Sequence, residues 1–376
     1  MSKIKNLLSI SGADYIGAGI SGVFWFILAT LISPEEFGEI NYYLAIAGLA
    51  YGISLIGSSD AISVYVAKKI QIQSTLSLLS LIIGGVSAIV IITQFTRIDV
   101  SFLLLAFIVN DLAIGYLLGK KLFVNYSKYL LTQKSLTLTL GISFYFILGP
   151  DGIIYALALS YVHFSIIIYK IFASSKVNFS LLKSNAGFVG NNYSMKLLSV
   201  VGNQVDKIVI VPLIGLEILG NYALAIQIII VLMILPGIVY KYTLPQDATG
   251  VETKRIKMVT LVGAIGLSIF GMTLLPIILL DIFPKYSGAV IAIQIISIAI
   301  IPATITQFYT SKLLGMEKSK MILVSRILMA ITTIIGILLL APTFKIVGAS
   351  VAFVLARIIE VVFLVLSYHL WVKKPT

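Results

Sequence analysis

Apolar residues in this chain run in long blocks separated by short polar stretches. A helix needs about 20 apolar residues to cross a bilayer. Twelve blocks meet that length: residues 8–32, 42–66, 76–95, 100–119, 131–149, 152–173, 188–213, 216–240, 258–280, 288–311, 321–341 and 346–371. Thr132, Gln133, Lys134 and Ser135 blur the start of the fifth. The pattern predicts an all-α integral membrane protein with twelve transmembrane helices and no room for a soluble domain. The first span is expected to be retained rather than cleaved, since it is long and holds Asp14.

Composition agrees with this pattern. Of the 376 residues, 59% are hydrophobic and only 11% are charged, against roughly 25% charged in a soluble domain. A cytosolic enzyme, a secreted protein and a disordered chain are excluded. There is no cysteine, so thiolate metal sites and cysteine nucleophiles are excluded too.

The net charge of +12 would point to nucleic acid on a soluble protein. Here its placement gives another meaning. With the N-terminus inside, 21 of the 27 Lys and Arg fall in cytoplasmic segments, Lys373 and Lys374 among them. Only Arg97, Lys285 and Lys345 fall in outer loops, and Lys196, Lys207 and Arg357 lie within spans. The positive-inside rule then places both termini in the cytoplasm of a cell carrying the protein in its plasma (inner) membrane. No nucleic-acid partner is expected. The lysine-rich stretch 119–135, with Phe123, Tyr126 and Tyr129, reads as a topology signal or as an interfacial segment drawn to anionic membrane lipids.

The chain repeats itself. Leu31-Ile32-Ser33-Pro34-Glu35-Glu36-Phe37-Gly38 and Leu213-Ile214-Gly215-Leu216-Glu217-Ile218-Leu219-Gly220 both read L-I-x-x-E-x-x-G. Each follows the first span of a half, and Asn41-Tyr42 and Asn221-Tyr222 continue the match after a short slip. Six spans per half make the repeats parallel. Two six-helix lobes are expected, 1–180 and 181–376, around a central cleft. Carriers of this kind bind substrate between their halves, near the midplane.

Eight charged residues fall within spans: Asp14, Asp60, Asp111, Lys196, Asp206, Lys207, Arg357 and Glu360. Each would cost about 3 kcal/mol at the bilayer centre if left bare. They must be paired, interfacial or in a wet cavity. Arg357 and Glu360 are spaced for an ion pair on one helix face, which competes with a substrate role for Arg357. Asn203, Gln204, Asp206 and Lys207 make the seventh span unusually polar. Lys196 and Lys207 lie about three turns apart near one face, which suits a phosphate, although Lys196 also reads as a snorkelling residue. Asp14, Asp60, Asp111 and Asp206 are candidates for coupling transport to H⁺ or Na⁺, or for interhelical hydrogen bonding.

Several motifs fail. Gly17-Ala18-Gly19-Ile20-Ser21-Gly22 matches G-x-G-x-x-G inside an apolar helix with no preceding strand, so it reads as a small-residue packing face. No phosphate-binding loop occurs, so no nucleotide cofactor is expected. With two histidines and no cysteine, no metal centre is expected. The outer loops are short, which argues against a membrane enzyme.

Taken in order, these features resemble the polysaccharide biosynthesis or O-antigen flippase family. That family lies within the superfamily of multidrug, oligosaccharidyl-lipid and polysaccharide exporters. The resemblance is carried by Ile32-Ser33-Pro34-Glu35-Glu36-Phe37-Gly38, by Asp206-Lys207-Ile208-Val209-Ile210 with Gly215, Gly220, Tyr222, Ala225 and Pro236, by Ile282-Phe283-Pro284-Lys285-Tyr286, and by Ile346-Val347-Gly348-Ala349-Ser350. It implies a multidrug-exporter-like fold working by alternating access. It also implies flipping of a lipid-linked oligosaccharide, a polyprenyl-phosphate-type glycan, to the outer leaflet for surface polysaccharide biosynthesis, with glycan-assembly proteins among its candidate partners. Lys196, Lys207 and Arg357, with Asn203 and Gln204, would then hold the phosphates and sugar. The alternative, favoured by the intramembrane aspartates, is a proton- or sodium-coupled multidrug or cation antiporter.

Overall fold

The computed structural model describes residues 2–249, 251–316 and 318–372, without the side chains of residues 2–10, 245, 248, 371 and 372. Lys373 and Lys374 of the inner-side charge count lie outside the described residues. The described residues are almost wholly helical and contain no strand. In chain order the helices are α1 (Ser2–Leu31), α2 (Pro34–Ser54), α3 (Ser59–Ala67), α4 (Gln73–Phe95), α5 (Ile98–Gly119), α6 (Phe123–Leu148), α7 (Gly152–Leu159), α8 (Ser165–Ser174), α9 (Phe179–Ser184), α10 (Ala186–Ile214), α11 (Leu216–Leu232), α12 (Ile234–Ala248), α13 (Lys254–Ile282), α14 (Ser287–Ser297), α15 (Ile300–Gly315) and α16 (Ser319–Ser367).

Among the described residues, eight helices are long and apolar enough to cross a membrane, or up to ten if two bent pairs each count as one span. These pairs are α11 with α12, bent by 46°, and α14 with α15, bent by 44°. The difference between this count and the expected twelve arises at two places. The stretch Ser319–Leu370 passes as a single span, but the chain turns back at Lys345, whose φ of 49° and ψ of −126° are not helical: a Cβ on Gly336 would meet Ala352, and Arg357 reaches Met329, so the parts before and after Lys345 lie side by side. The fifth lies in α6, where Lys128, Thr132, Gln133 and Lys134 dilute the hydropathy. The segment 119–135 forms no separate interfacial element, because α6 already begins at Phe123.

The chain divides into two compact units. One comprises the chain up to Leu28 with Tyr43–Val201; the other comprises Ala29–Tyr42 with the chain from Gly202 onward. In lipid the hydrophobic effect does not drive helices together, so close backbone approach and interhelical hydrogen bonds must do so. The first unit uses both. Gly115 of α5 lies against Ser59 and Ile62 of α3, and Gly119 against Val66 and Ser63. Gln133, Thr137 and Ser160 form a buried triangle with distances of 2.8, 3.0 and 3.2 Å. Ser74 on α4 joins Ser175, Oγ to Oγ, at 2.6 Å.

The second unit is organised by the repeat. Ser33 and Glu36 form a reciprocal capping box at the start of α2: Ser33 N–H donates to Glu36 Oε2 at 2.7 Å and Glu36 N–H to Ser33 Oγ at 3.3 Å. Pro34 sits in the first turn, where its missing N–H costs nothing. At the matching point of the second repeat, Gly215 turns the chain with φ +90°. The repeated glycines then meet. A Cβ at Gly38 would overlap the Leu216 carbonyl, and one at Gly220 would overlap the Pro34 carbonyl. Asn41 donates to the Phe37 carbonyl at 2.9 Å, and Asn221 to the Glu217 carbonyl at 3.0 Å. Tyr286 donates its hydroxyl to the carbonyls of Ile32 and Ser33, 3.3 Å from each, and stacks edge-on with Phe37. Two stretches that carry the family resemblance thus touch.

Asp247, beyond the membrane-spanning part of α12, gathers groups from two other helices, α13 with its cap residue and α15. It accepts from Lys257 Nζ and Ser311 Oγ, each at 2.5 Å, and from Thr253 Oγ1 at 2.8 Å. Burial acts to raise its carboxyl, but the hydrogen bonds from Lys257, Ser311 and Thr253 outweigh this and hold it below the usual carboxylate range.

Two outcomes follow from this packing. Gly38→Ala and Gly220→Ala should each force α2 and α11 apart and cost about 1–3 kcal/mol, read as a lowered Tm in detergent. Gly12→Ala, which meets open space, should leave Tm unchanged or slightly raised; equal melting of all three would contradict the crossing. A depressed carboxylate stabilises above its unfolded pKa and loses that contribution as pH falls through the folded value. Asp247→Asn should therefore melt below wild type at neutral pH, with the gap closing below about pH 4.

Candidate functional site

In the first unit one intramembrane cation, Lys196, meets the carboxylate of Asp111 on α5. Its Oδ1 accepts from Tyr51 Oη at 2.8 Å and from Lys196 Nζ at 2.8 Å, and its Oδ2 accepts from the Ser59 N–H at 2.6 Å. The break between α2 and α3 makes this possible, because it frees the first N–H groups of α3 to point at a carboxylate. Asp111 is buried, and Lys196 keeps about a quarter of its side chain exposed and lies 5.7 Å from the Tyr51 ring centre. Lys196 is thus held in an ion pair rather than snorkelling to an interface. Nothing in the sequence marks Tyr51 or Ser59, since a tyrosine or serine in a span carries no charge.

The other acids differ. Asp14 accepts from Tyr126 Oη at 2.6 Å. Asp60 is exposed in the first turn of α3. Lys134, counted with the inner loop, lies well inside α6 with its stem against Gly17 of α1.

In the second unit the polar stretch of α10 distributes its groups. Asp206 is buried and turns to α11, where Tyr222 Oη donates to its Oδ2 at 3.0 Å. Asp206 Oδ1 accepts from the Lys207 backbone N–H at 2.9 Å. Adjacent residues on a helix point in different directions, so the Lys207 ammonium does not reach this carboxylate. It donates instead to Gln204 Oε1 at 3.0 Å and to the Asn203 carbonyl at 3.3 Å. Among the described residues, Lys207 has no carboxylate partner. Asn203 is exposed.

On α16 the ion pair expected from spacing is present: Arg357 Nη1 lies 3.2 Å from Glu360 Oε2. The same nitrogen lies 3.1 Å from Met329 Sδ, and the guanidinium sits 5.2 Å from the Phe353 ring centre. Of the three candidate cations, Lys196 and Arg357 are neutralised by carboxylates. Lys207 carries its charge on neutral oxygens alone, an arrangement that leaves an ammonium available to a second anion.

The Asp111–Lys196 pair yields a double-mutant test. Removing one partner strands the other, at a cost toward the lower end of roughly 3–5 kcal/mol, because Lys196 is partly exposed. Asp111→Asn and Lys196→Met should each lower Tm, and the double variant should recover much of the loss. Additive losses would show that the two groups are not coupled.

No protein-family model matches this chain, and no curated protein matches it. Solved structures do. The chain is similar to the lipid II flippase MurJ in an inward closed conformation, with a TM-score of 0.74 and 13% identity over 96% of this chain and 87% of that one. It is similar to an inward-facing multidrug resistance MATE family transporter of the MOP superfamily, with a TM-score of 0.66 and 14% identity over 95% and 96%. A MOP superfamily transporter from Pyrococcus furiosus, described as having a binding pocket of reversed polarity, gives 0.61 and 14% over 97% and 95%. These identities are low, so the likeness is one of fold. The chain has the all-α, multi-pass fold of the MOP-superfamily membrane transporters.

Proposed function

We propose that this protein is a transporter that flips a lipid-linked oligosaccharide from the cytoplasmic to the outer leaflet by alternating access of lobes 1–180 and 181–376. Both termini are cytoplasmic in this reading, as the lysine distribution requires. The observation that carries it is Lys207, an ammonium within the second unit's membrane region that no carboxylate neutralises among the described residues. A permanent bare cation there is costly, and a phosphate or pyrophosphate arriving with the lipid would relieve that cost. Gln204 and the exposed Asn203 beside it offer the hydrogen-bonding groups that sugar hydroxyls need. Arg357 would contribute by exchanging Glu360 for the incoming anion. Lys196 would do so by exchanging Asp111.

One observation favours a cation-coupled antiporter instead: Asp60 is exposed at the start of α3. The similar structures include both a lipid flippase and multidrug transporters, so their likeness supports either reading.

The test is reconstitution in vesicles with a fluorescent polyprenyl-pyrophosphate sugar. Lys207→Ala should reduce translocation about tenfold or more, as loss of one charge-assisted contact implies. The triple variant Lys196→Ala, Lys207→Ala and Arg357→Ala should abolish it. Unchanged translocation in the triple variant would remove the site. Absence of lipid movement, with ion-driven dye export that Asp60→Asn eliminates, would establish the antiporter.

A further inference from the structure

Two spans of the second unit are broken, and they are neighbours: α11 packs on α14, and α12 packs on α15. Gly271 of α13 marks the level of both breaks. A Cβ there would overlap Ser297, at the end of α14, and would touch Leu232, at the end of α11. The bends are alike, 46° and 44°. So is the sequence that follows each one. α12 opens Ile234-Leu235-Pro236, and α15 opens Ile300-Ile301-Pro302. Proline has no N–H, so it cannot donate to the carbonyl four residues before it. The carbonyls deprived in this way are those of Leu232 and Ile298, both at the breaks. Each break can therefore flex without losing that bond.

The halves before the breaks are fastened in the membrane. Gln294 of α14 donates to the Met272 carbonyl of α13 at 3.3 Å, and Tyr222 of α11 donates to Asp206 of α10 at 3.0 Å. The halves after the breaks are tied at their far ends. There Asp247 of α12 accepts from Ser311 of α15 and from Lys257 of α13. α15 meets α16 through an apolar cluster of Leu313, Ile322 and Leu364, and Tyr309 lies 3.3 Å from His369, just after α16. Lipid tails can replace apolar contacts at little cost, so the Asp247 node is the stronger fastening. At the break and along α15, Ser297 Oγ, Thr306 Oγ1 and Gln307 Oε1 are buried with no hydrogen-bond partner among the described residues. Each is a cost of this arrangement that another seating of α15 can remove.

We propose that α12 and α15 form a hinged gate: they swing as one body about Met233 and Ile298, against Gly271, and Asp247 latches their far ends to α13. The two move together because Asp247 also holds Ser311. α12 has 15 residues, a lever of about 22 Å, so a turn of about 10° at the break becomes about 4 Å at the latch. Switching elements of this kind are packed segments with two discrete seatings joined by a few hinge residues. The gate is independent of the Lys207 reading, of the substrate carried and of which side of the membrane the latch faces.

The test is pulsed EPR distance measurement on the full chain in nanodiscs. The chain has no cysteine, so labels attach only where cysteine is introduced. The sites are Tyr242→Cys on α12, Leu314→Cys on α15, and Val259→Cys and Ile278→Cys on α13, all exposed. With the latch intact, positions 242 and 259, and positions 314 and 259, should each show one major distance and a minor, longer one. Lys257→Met removes the tie to α13 and keeps Asp247 on Ser311. It should make the longer distance the major one at both pairs, by about 4 Å or more. The distances from 242 to 314 and from 259 to 278 should not change. Adding Pro236→Ala and Pro302→Ala restores the two N–H donors and should suppress the longer distance. Positions 242 and 314 separating as much as the other pairs would mean that the helix ends move singly, and would overturn the proposal. So would one distance per pair both with the latch intact and in Lys257→Met, or a longer distance that both alanines leave in place. The chain with its latch intact shows by itself whether the longer distance exists, so no latch variant has to fold.

Discussion

A charge in hydrocarbon must find a counter-charge, a hydrogen bond or water, and this protein's interior is arranged around that demand. Asp111 collects Lys196, Tyr51 and the start of α3. Glu360 holds Arg357, Tyr222 serves Asp206, and Tyr126 serves Asp14. Each answer ties one helix turn to another, so the charges also act as fasteners where hydrophobic burial cannot. Lys207 and Asp60 stand out because their surroundings answer them least. At those two positions the functional readings divide, one requiring an anionic substrate and the other a cation.

The second requirement is close backbone approach. Gly38 and Gly220 occupy equivalent places in the two repeats and face each other, each filling the space that a side chain would need. The surrounding residues serve the same crossing. The Ser33–Glu36 box starts α2 where it must start, and Tyr286 secures the carbonyls of Ile32 and Ser33 beside it. Gly38, Gly220 and Tyr286, which belong to motifs that suggest a family, are in physical terms parts of one helix contact.

Much of this was legible in the chain. Long apolar blocks gave the all-α membrane class, and the i, i+3 spacing gave the Arg357–Glu360 pair. The count of spans is harder to read, because apolar length marks neither the turn at Lys345 nor a helix diluted by polar residues as in α6. Lys134 is likewise hard to place from the chain: a lysine stem packed on Gly17 looks no different in sequence from one in water.

The sequence by itself determined the class of fold, the repeat, and which residues bear charge in the membrane, since these depend on composition and local period. Only the tertiary structure decided which charges are answered. That depends on contacts between residues far apart in the chain: Lys196 reaches Asp111, whereas Lys207, equally basic and on the same helix, finds only neutral oxygens. Whether a polar atom has a partner is a property of the space around it, and no pattern along the chain records that space.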